Sequence, residues 1–249
     1  MNFPSEKDCP RIVLSNEELK IAEFWIRETS KRSVEILRKF SEPSAADIAK
    51  DLSNHDMSVK GEFAVDSFFN GTVSNAVENS QKFCRGSSLT KLIPDIIIGS
   101  VVDAEACYVV RNEICVEVKS TRRKDYPEAL KLPIKLEQFR DYQYARDNGE
   151  FSLFAYILTV TVRDHPNAVD LAGFAREDDI TKSINLNNRD SHGNYVISRL
   201  DLHLLDCLNS YDYETSETVG DRMKKAAAKD NKHNDNNNAK LKVSKTLNH

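Results

Sequence analysis

The chain lacks three features that would narrow its class at once. It has no apolar run long enough to cross a bilayer: the longest, FSLFAYILTVTV at residues 151–162, falls short of the ~18–20 residues a membrane-spanning helix needs. Its start, MNFPSEKDCP, has no cationic segment followed by an apolar one, so no secretory signal is expected. Its five cysteines, Cys9, Cys84, Cys107, Cys115 and Cys207, form neither a close-spaced metal set nor an even disulfide framework. Reduced thiols and a cytoplasmic, non-membrane setting are the expectation. His165, His192 and His203 are scattered without zinc-ligand spacing. No internal repeat is evident.

A charge excess of one sign is also missing. The net charge of −4 over 249 residues excludes a uniformly basic nucleic-acid binder, but distribution matters more than the sum. Residues 119–146 hold eight Lys/Arg against four Asp/Glu, and residues 221–249 hold eight against three. The rest is strongly acidic. Either basic segment alone is also compatible with an ordinary solvated face.

What is present reads as α/β. SNEELKIAEFWIRE from residue 15 offers Ser15 or Asn16 as a cap and Leu19, Ala22, Trp25 and Ile26 at helical spacing. PSAADIAKDL at 43–52 predicts a second, short helix with Ser44 and Asp47 as an approximate capping box. It resembles the first helix of a helix-turn-helix, but no convincing recognition helix follows. Residues 61–79 keep a helical rhythm through Phe63, Val65, Phe68, Phe69, Val73 and Val77, interrupted by Gly71. KLIPDIII, CYVV and ICVEVK are short strands. KLEQFRDYQYARDNG is a helix stopped by Asn148 and Gly149, and SLFAYILTVTV a central strand. This order predicts an α/β core with helices on both sides of a mixed sheet.

Beyond residue 164 the pattern weakens to a short strand and turn in VDLAGFAREDDI and a strand or helix in YVISRLDLHLLDCL. The expected organisation is an N-terminal helical extension over 1–57, a core with C-terminal elaboration over 58–215, and a polar basic tail over 216–249, rich in Asn and Lys and expected to be disordered.

The chemistry concentrates in CVEVKSTRR, residues 115–123. Ile114, Val116 and Val118 point to one face of the strand, and Cys115, Glu117 and Lys119 to the other. Asp95 begins the strand after Pro94. Neighbouring strands lie ~4.8 Å apart, so Asp95 and Glu117 can converge on one divalent ion. A buried carboxylate pair is costly without a compensating cation. Lys119 beside that ion can orient or deprotonate an attacking water, or stabilise a phosphoryl group as negative charge builds.

Pro94-Asp95 followed by Glu117-Val118-Lys119 resembles the PD-(D/E)XK nuclease superfamily over about residues 60–162. The resemblance implies a restriction endonuclease-like core and Mg²⁺-dependent hydrolysis of DNA phosphodiester bonds, with Mn²⁺ as a substitute ion. It also implies an acidic residue from the preceding helix, Glu62 with Asp66 as substitute, and the Val118 carbonyl as an extra metal ligand. Gln138 and Tyr142 match the Q-x-x-x-Y spacing of recombination-associated exonucleases in that superfamily, and four residues of helix leave them on nearly one face. Ser87 and Ser88 with EVKSTRR resemble archaeal Holliday-junction resolvases.

Catalytic expectations therefore fall on Glu62, Asp95, Glu117, Lys119, Gln138 and Tyr142, and metal ligation on Glu62, Asp95, Glu117 and Val118. Ser120, Arg122, Arg123, Lys124 and Lys135 are expected to contact phosphate. The leading expectation is a type II restriction-like endonuclease acting as a homodimer, since a two-fold pair cuts both strands. A junction-resolving or repair nuclease, a noncatalytic DNA-binding module and a protein-interaction scaffold are the alternatives. The plainer alternatives are an exposed Glu117–Lys119 ion pair, a strand-entry turn at Pro94-Asp95, a helix-start carboxylate at Glu62, and a helix surface at Gln138 and Tyr142.

Overall fold

The computed structural model describes residues 9–40, 42–69, 95–98, 101–104, 107–110, 114–123, 130–149, 151–162 and 164–208, with positions 217, 218, 220, 221, 224, 225 and 228. A strand β1 (Arg11–Val13) leads into helix α1 (Asn16–Leu37). Ser15 caps α1 through a reciprocal pair of hydrogen bonds with Glu18, which satisfies backbone N–H groups that have no partner within the helix. Helix α2 (Ala45–Phe69) returns along α1. Asp51 of α2 ties the two together by accepting from Ser30 and Ser33 of α1, each at 3.0 Å.

The principal sheet has five strands in the order β1-β8-β7-β5-β2. Its members are β2 (Ile96–Ile98), β5 (Ile114–Arg123), β7 (Leu153–Val162) and β8 (His165–Arg176), with β1 at the edge. β5 and β7 run parallel over their whole length and every other pairing is antiparallel. The sheet is thus mixed, as the sequence predicts. Strands β3 (Val101–Ala104) and β4 (Cys107–Val110) form a separate two-stranded ladder.

Helices cover both faces. On one, α1 and α2 pack Ala22, Ile26, Val59 and Phe63 against Ile114, Val116 and Val118 of β5. On the other, α3 (Leu136–Asp147) places Phe139 and Tyr142 over Cys115, Phe154 and Tyr156. That layer also holds α4 (Glu177–Asn185) and a β6 (Lys131–Ile134) to β9 (Tyr195–Ser198) ladder. The alternation along β5 places each residue on the face its position predicts. β7, lying between two strands and covered on both faces, is buried nearly throughout.

Several elements differ from the sequence reading. PSAADIAKDL and the rhythm beginning at Gly61 belong to one 25-residue helix that runs unbroken through residues 57 and 58, leaving no turn for a helix-turn-helix. Gly61 does not break it, because the glycine lies where the helix meets the sheet. A Cβ there would fall 2.2 Å from Ser120 Oγ and 2.5 Å from Thr159 Oγ1. The strand in VDLAGFAREDDI extends to twelve residues, and its turn is the start of α4. YVISRLDLHLLDCL forms β9 followed by 3₁₀ turns at Arg199–Asp201 and Leu205–Cys207. Among the described residues, no helix is long and apolar enough to cross a membrane. Gly71, Val73, Val77, Cys84, Ser87, Ser88, Pro94, Lys124 and most of the tail lie outside the described residues.

Candidate active site

β5 outruns β2. The last register pair is Ile96 with Val116, which sets Asp95 opposite Glu117. Past that point β5 has a strand partner only on the β7 side among the described residues. A backbone N–H at such a step needs an acceptor. The N–H of Val118 finds it in Asp95, donating to Oδ2 at 2.7 Å. The carboxylate of Asp95 is thereby fixed at the corner where the two strands part.

Glu117 is only 5% exposed, so its charge must be met within the protein. Lys119 Nζ donates to Glu117 Oε1 at 2.5 Å and to Gln138 Oε1 at 2.9 Å. Tyr142 Oη donates to Glu117 Oε2 at 3.0 Å. Gln138 and Tyr142, one helical turn apart on α3, therefore reach the two members of the same strand pair. Neither is left as helix surface, and Tyr142 is fully buried.

Glu62 stands on α2 beside Gly61 and accepts from Ser58 Oγ at 3.2 Å. Burial pushes its pKa up to about 7; the Ser58 bond opposes the rise and the Glu117 charge adds to it. Asp95 is pushed well above the ordinary carboxyl range by burial, then by Glu117 and Glu62, against the Val118 N–H and Lys119. Glu62, Asp95 and Glu117 thus feel one another's charge. Burial and the charges of Glu117 and Asp95 also push Tyr142 upward.

Asp66 belongs elsewhere. Its pKa rises to about 6 through burial and the neighbouring charge of Glu18 on α1, and one of its oxygens is buried without a hydrogen-bond partner among the described residues.

The expected phosphate contacts divide. Ser120 is turned under α2, its hydroxyl 2.8 Å from that of Thr159. Arg122 is held in an ion pair by Asp56. Lys135 is exposed at the start of α3. The Arg123 side chain lies outside the described residues. His203 is buried with Nε2 3.0 Å from Asp179, while His165 and His192 are exposed.

Tyr156 escaped the sequence reading. It sits in register with Glu117 on the parallel neighbour, its ring centroid 5.9 Å from Lys119 Nζ. Its hydroxyl is buried with no hydrogen-bond partner among the described residues. Burial raises its pKa, with Glu117, Asp95 and Asp141 adding to the effect. The only available signal was an aromatic carrying a hydroxyl in an otherwise apolar central strand.

The donor set is all oxygen, the chemistry that suits Mg²⁺ or Mn²⁺. With every group ionised, the carboxylates of Glu62, Asp95 and Glu117 outnumber the single ammonium of Lys119, an imbalance that a divalent cation matches. Both Glu117 oxygens are engaged by Lys119 and Tyr142. No group of three or more His, Cys, Asp or Glu is arranged to hold a metal ion among the described residues. Comparison with protein-family models, with curated proteins and with solved structures finds no match.

Proposed function

We propose that the chain is a Mg²⁺-dependent endodeoxyribonuclease with a restriction endonuclease-like core. One observation carries this reading: the Glu117–Lys119 pair, gripped by Gln138 and Tyr142, lies within electrostatic reach of two further carboxylates, Asp95 and Glu62. An ordinary surface ion pair has no need of such company. Burial and neighbouring negative charge raise the pKa of Glu62 and of Asp95, the pattern of a site where charge is held for use.

Asp95 and Glu117 would hold the ion, with the Val118 carbonyl as the additional ligand the resemblance implies. When bound, it supplies positive charge and polarises a phosphoryl oxygen. Lys119, steered by Gln138, presents its ammonium to the phosphoryl group as negative charge builds there. Glu62 orders the attacking water. With a pKa near 7 it accepts the proton that the water loses as its oxygen bonds to phosphorus and the ester bond breaks. Tyr142 fixes the rotamer of Glu117. One such centre cuts one strand, so a restriction-type role calls for a homodimer.

The test is a digest of supercoiled plasmid and of a four-way junction in magnesium, calcium or chelator, using the parent and Asp95→Ala, Glu117→Ala and Lys119→Ala. Cleavage in magnesium by the parent alone is expected. Discrete fragments assign a restriction-type role, and paired nicks at the junction a resolvase. Undiminished cutting by Asp95→Ala overturns the assignment. Salt-dependent binding without cleavage leaves a noncatalytic DNA-binding module, and no DNA affinity at low salt leaves a scaffold.

A further inference from the structure

Arg122, near the end of β5, is matched to α2. Its guanidinium pairs with Asp56 and donates to Ser53 Oγ at 3.2 Å. The other oxygen of Asp56 accepts from Lys60 Nζ at 2.8 Å, and Lys60 also donates to the Pro166 carbonyl at 3.1 Å. One carboxylate thus lies between two cations drawn from a strand and a helix. The Asp56 side chain is 24% exposed, so the place it fills opens to solvent.

We propose that Arg122 and Lys60 form a phosphate site of the nucleic-acid path, and that Asp56 is a built-in occupant which a backbone phosphate must displace. The proposal rests on the nuclease reading for its ligand, and on the geometry alone for its cradle. A guanidinium fork accepts two oxygens of a carboxylate or of a phosphate in the same way. Arg122 points to the α2 side of the sheet, the side whose helix carries Glu62, whereas Lys119 points to the opposite side. Asp56 precedes Glu62 by six residues, about 9 Å of helix. Arg122 follows Lys119 by three, about 10 Å of strand. The Arg122 side chain, 34% exposed, leaves the guanidinium open to an incoming phosphate. The tether of Asp56 nevertheless keeps the competitor at high local concentration.

Binding of a fluorescein-labelled single-stranded oligodeoxynucleotide and of its duplex, measured by anisotropy in chelator, tests this without cleavage. Asp56→Asn should tighten binding at low salt about fivefold and steepen its salt dependence by about one counterion. Adding Arg122→Gln to Asp56→Asn should abolish the gain. Glu23→Gln, which removes an exposed charge from α1, should not reproduce it. Asp56→Ser serves the same purpose should the asparagine variant fail to fold. Unchanged affinity in a folded Asp56 variant overturns the proposal, as does a gain that survives Arg122→Gln or appears equally in Glu23→Gln. Inorganic phosphate that stabilises the Asp56 variant while the oligonucleotide binds no better would assign a small-anion site and overturn the nucleic-acid path. Tighter binding with no magnesium-dependent cleavage would support the cradle and remove the nuclease reading alone.

Discussion

Tyr142 Oη donates to Glu117 Oε2 at 3.0 Å, while Lys119 Nζ takes Oε1 of the same carboxylate. A helix and the strand's own next inward-facing residue thus share one acidic group between them. Tyr142→Phe keeps the ring contacts with Phe154 and Tyr156 and removes only this bond. The expected loss is about 1.5–3 kcal/mol, the scale for a hydrogen bond to a charged group, read by urea denaturation, with a rate loss of about tenfold as Glu117 loses its fixed rotamer.

Lys119→Met leaves Glu117 with a buried charge and no ion-pair partner. Stability should fall by about 3 kcal/mol, the cost of breaking a buried pair from one side, and DNA cleavage should vanish. Glu117→Gln combined with Lys119→Met should recover most of the stability and none of the activity. A double-mutant cycle in denaturant checks the coupling.

Glu62 carries a pH signature. Its folded pKa of about 7 exceeds the ordinary glutamate value of 4.5, so the folded state binds more protons between those values and stability falls as pH rises from 4.5 to 7. Glu62→Gln removes the titration. Relative to that variant, the parent should lose about 1–3 kcal/mol between pH 5 and pH 8, with solvent screening at this partly exposed site favouring the lower end. Paired denaturation curves at the two pH values decide it.

Magnesium should bind more tightly as Glu62 and Asp95 shed protons. Calorimetric titration in chelator-free buffer should show affinity about tenfold higher at pH 8 than at pH 6, with proton release on binding. Asp95→Asn should lose both the binding and the thermal stabilisation that magnesium gives the parent. Magnesium binding unaffected by Asp95→Asn would remove the ion from this site.

Gly61→Ala places a methyl group against Ser120 Oγ and Thr159 Oγ1. The expected destabilisation is about 1–3 kcal/mol, partly relieved by Ser120→Ala because that change removes the nearer oxygen. Ser120→Ala alone should leave DNA affinity unchanged, as befits a hydroxyl turned toward a helix.

Local periodicity carried much of the site. Alternation along β5 separates Val116 and Val118 from Glu117 and Lys119, and the four-residue spacing of Gln138 and Tyr142 brings both onto that strand pair. These are relations of period two and of one helical turn, which a sequence displays directly. The engagement of Arg122 by Asp56 spans 66 positions, and no local rule exposes such a contact. Tyr156 was hidden for the opposite reason: in a strand buried on both faces it looks like its apolar neighbours. The continuity of α2 was missed because the segment between PSAADIAKDL and Gly61 shows no apolar periodicity to join the two helical stretches. Strand β1, at three residues, is too short for periodicity to reveal.

The same unbroken α2 sets a spacing. At ~1.5 Å per residue its 25 residues span about 37 Å. Asp51 is bolted to α1 near one end, and Glu62 overlooks Asp95 and Glu117 farther along. No turn separates them, so Asp51 and Glu62, about 16 Å apart along the helix, sit on one continuous rod that joins the α1 contact to the carboxylate.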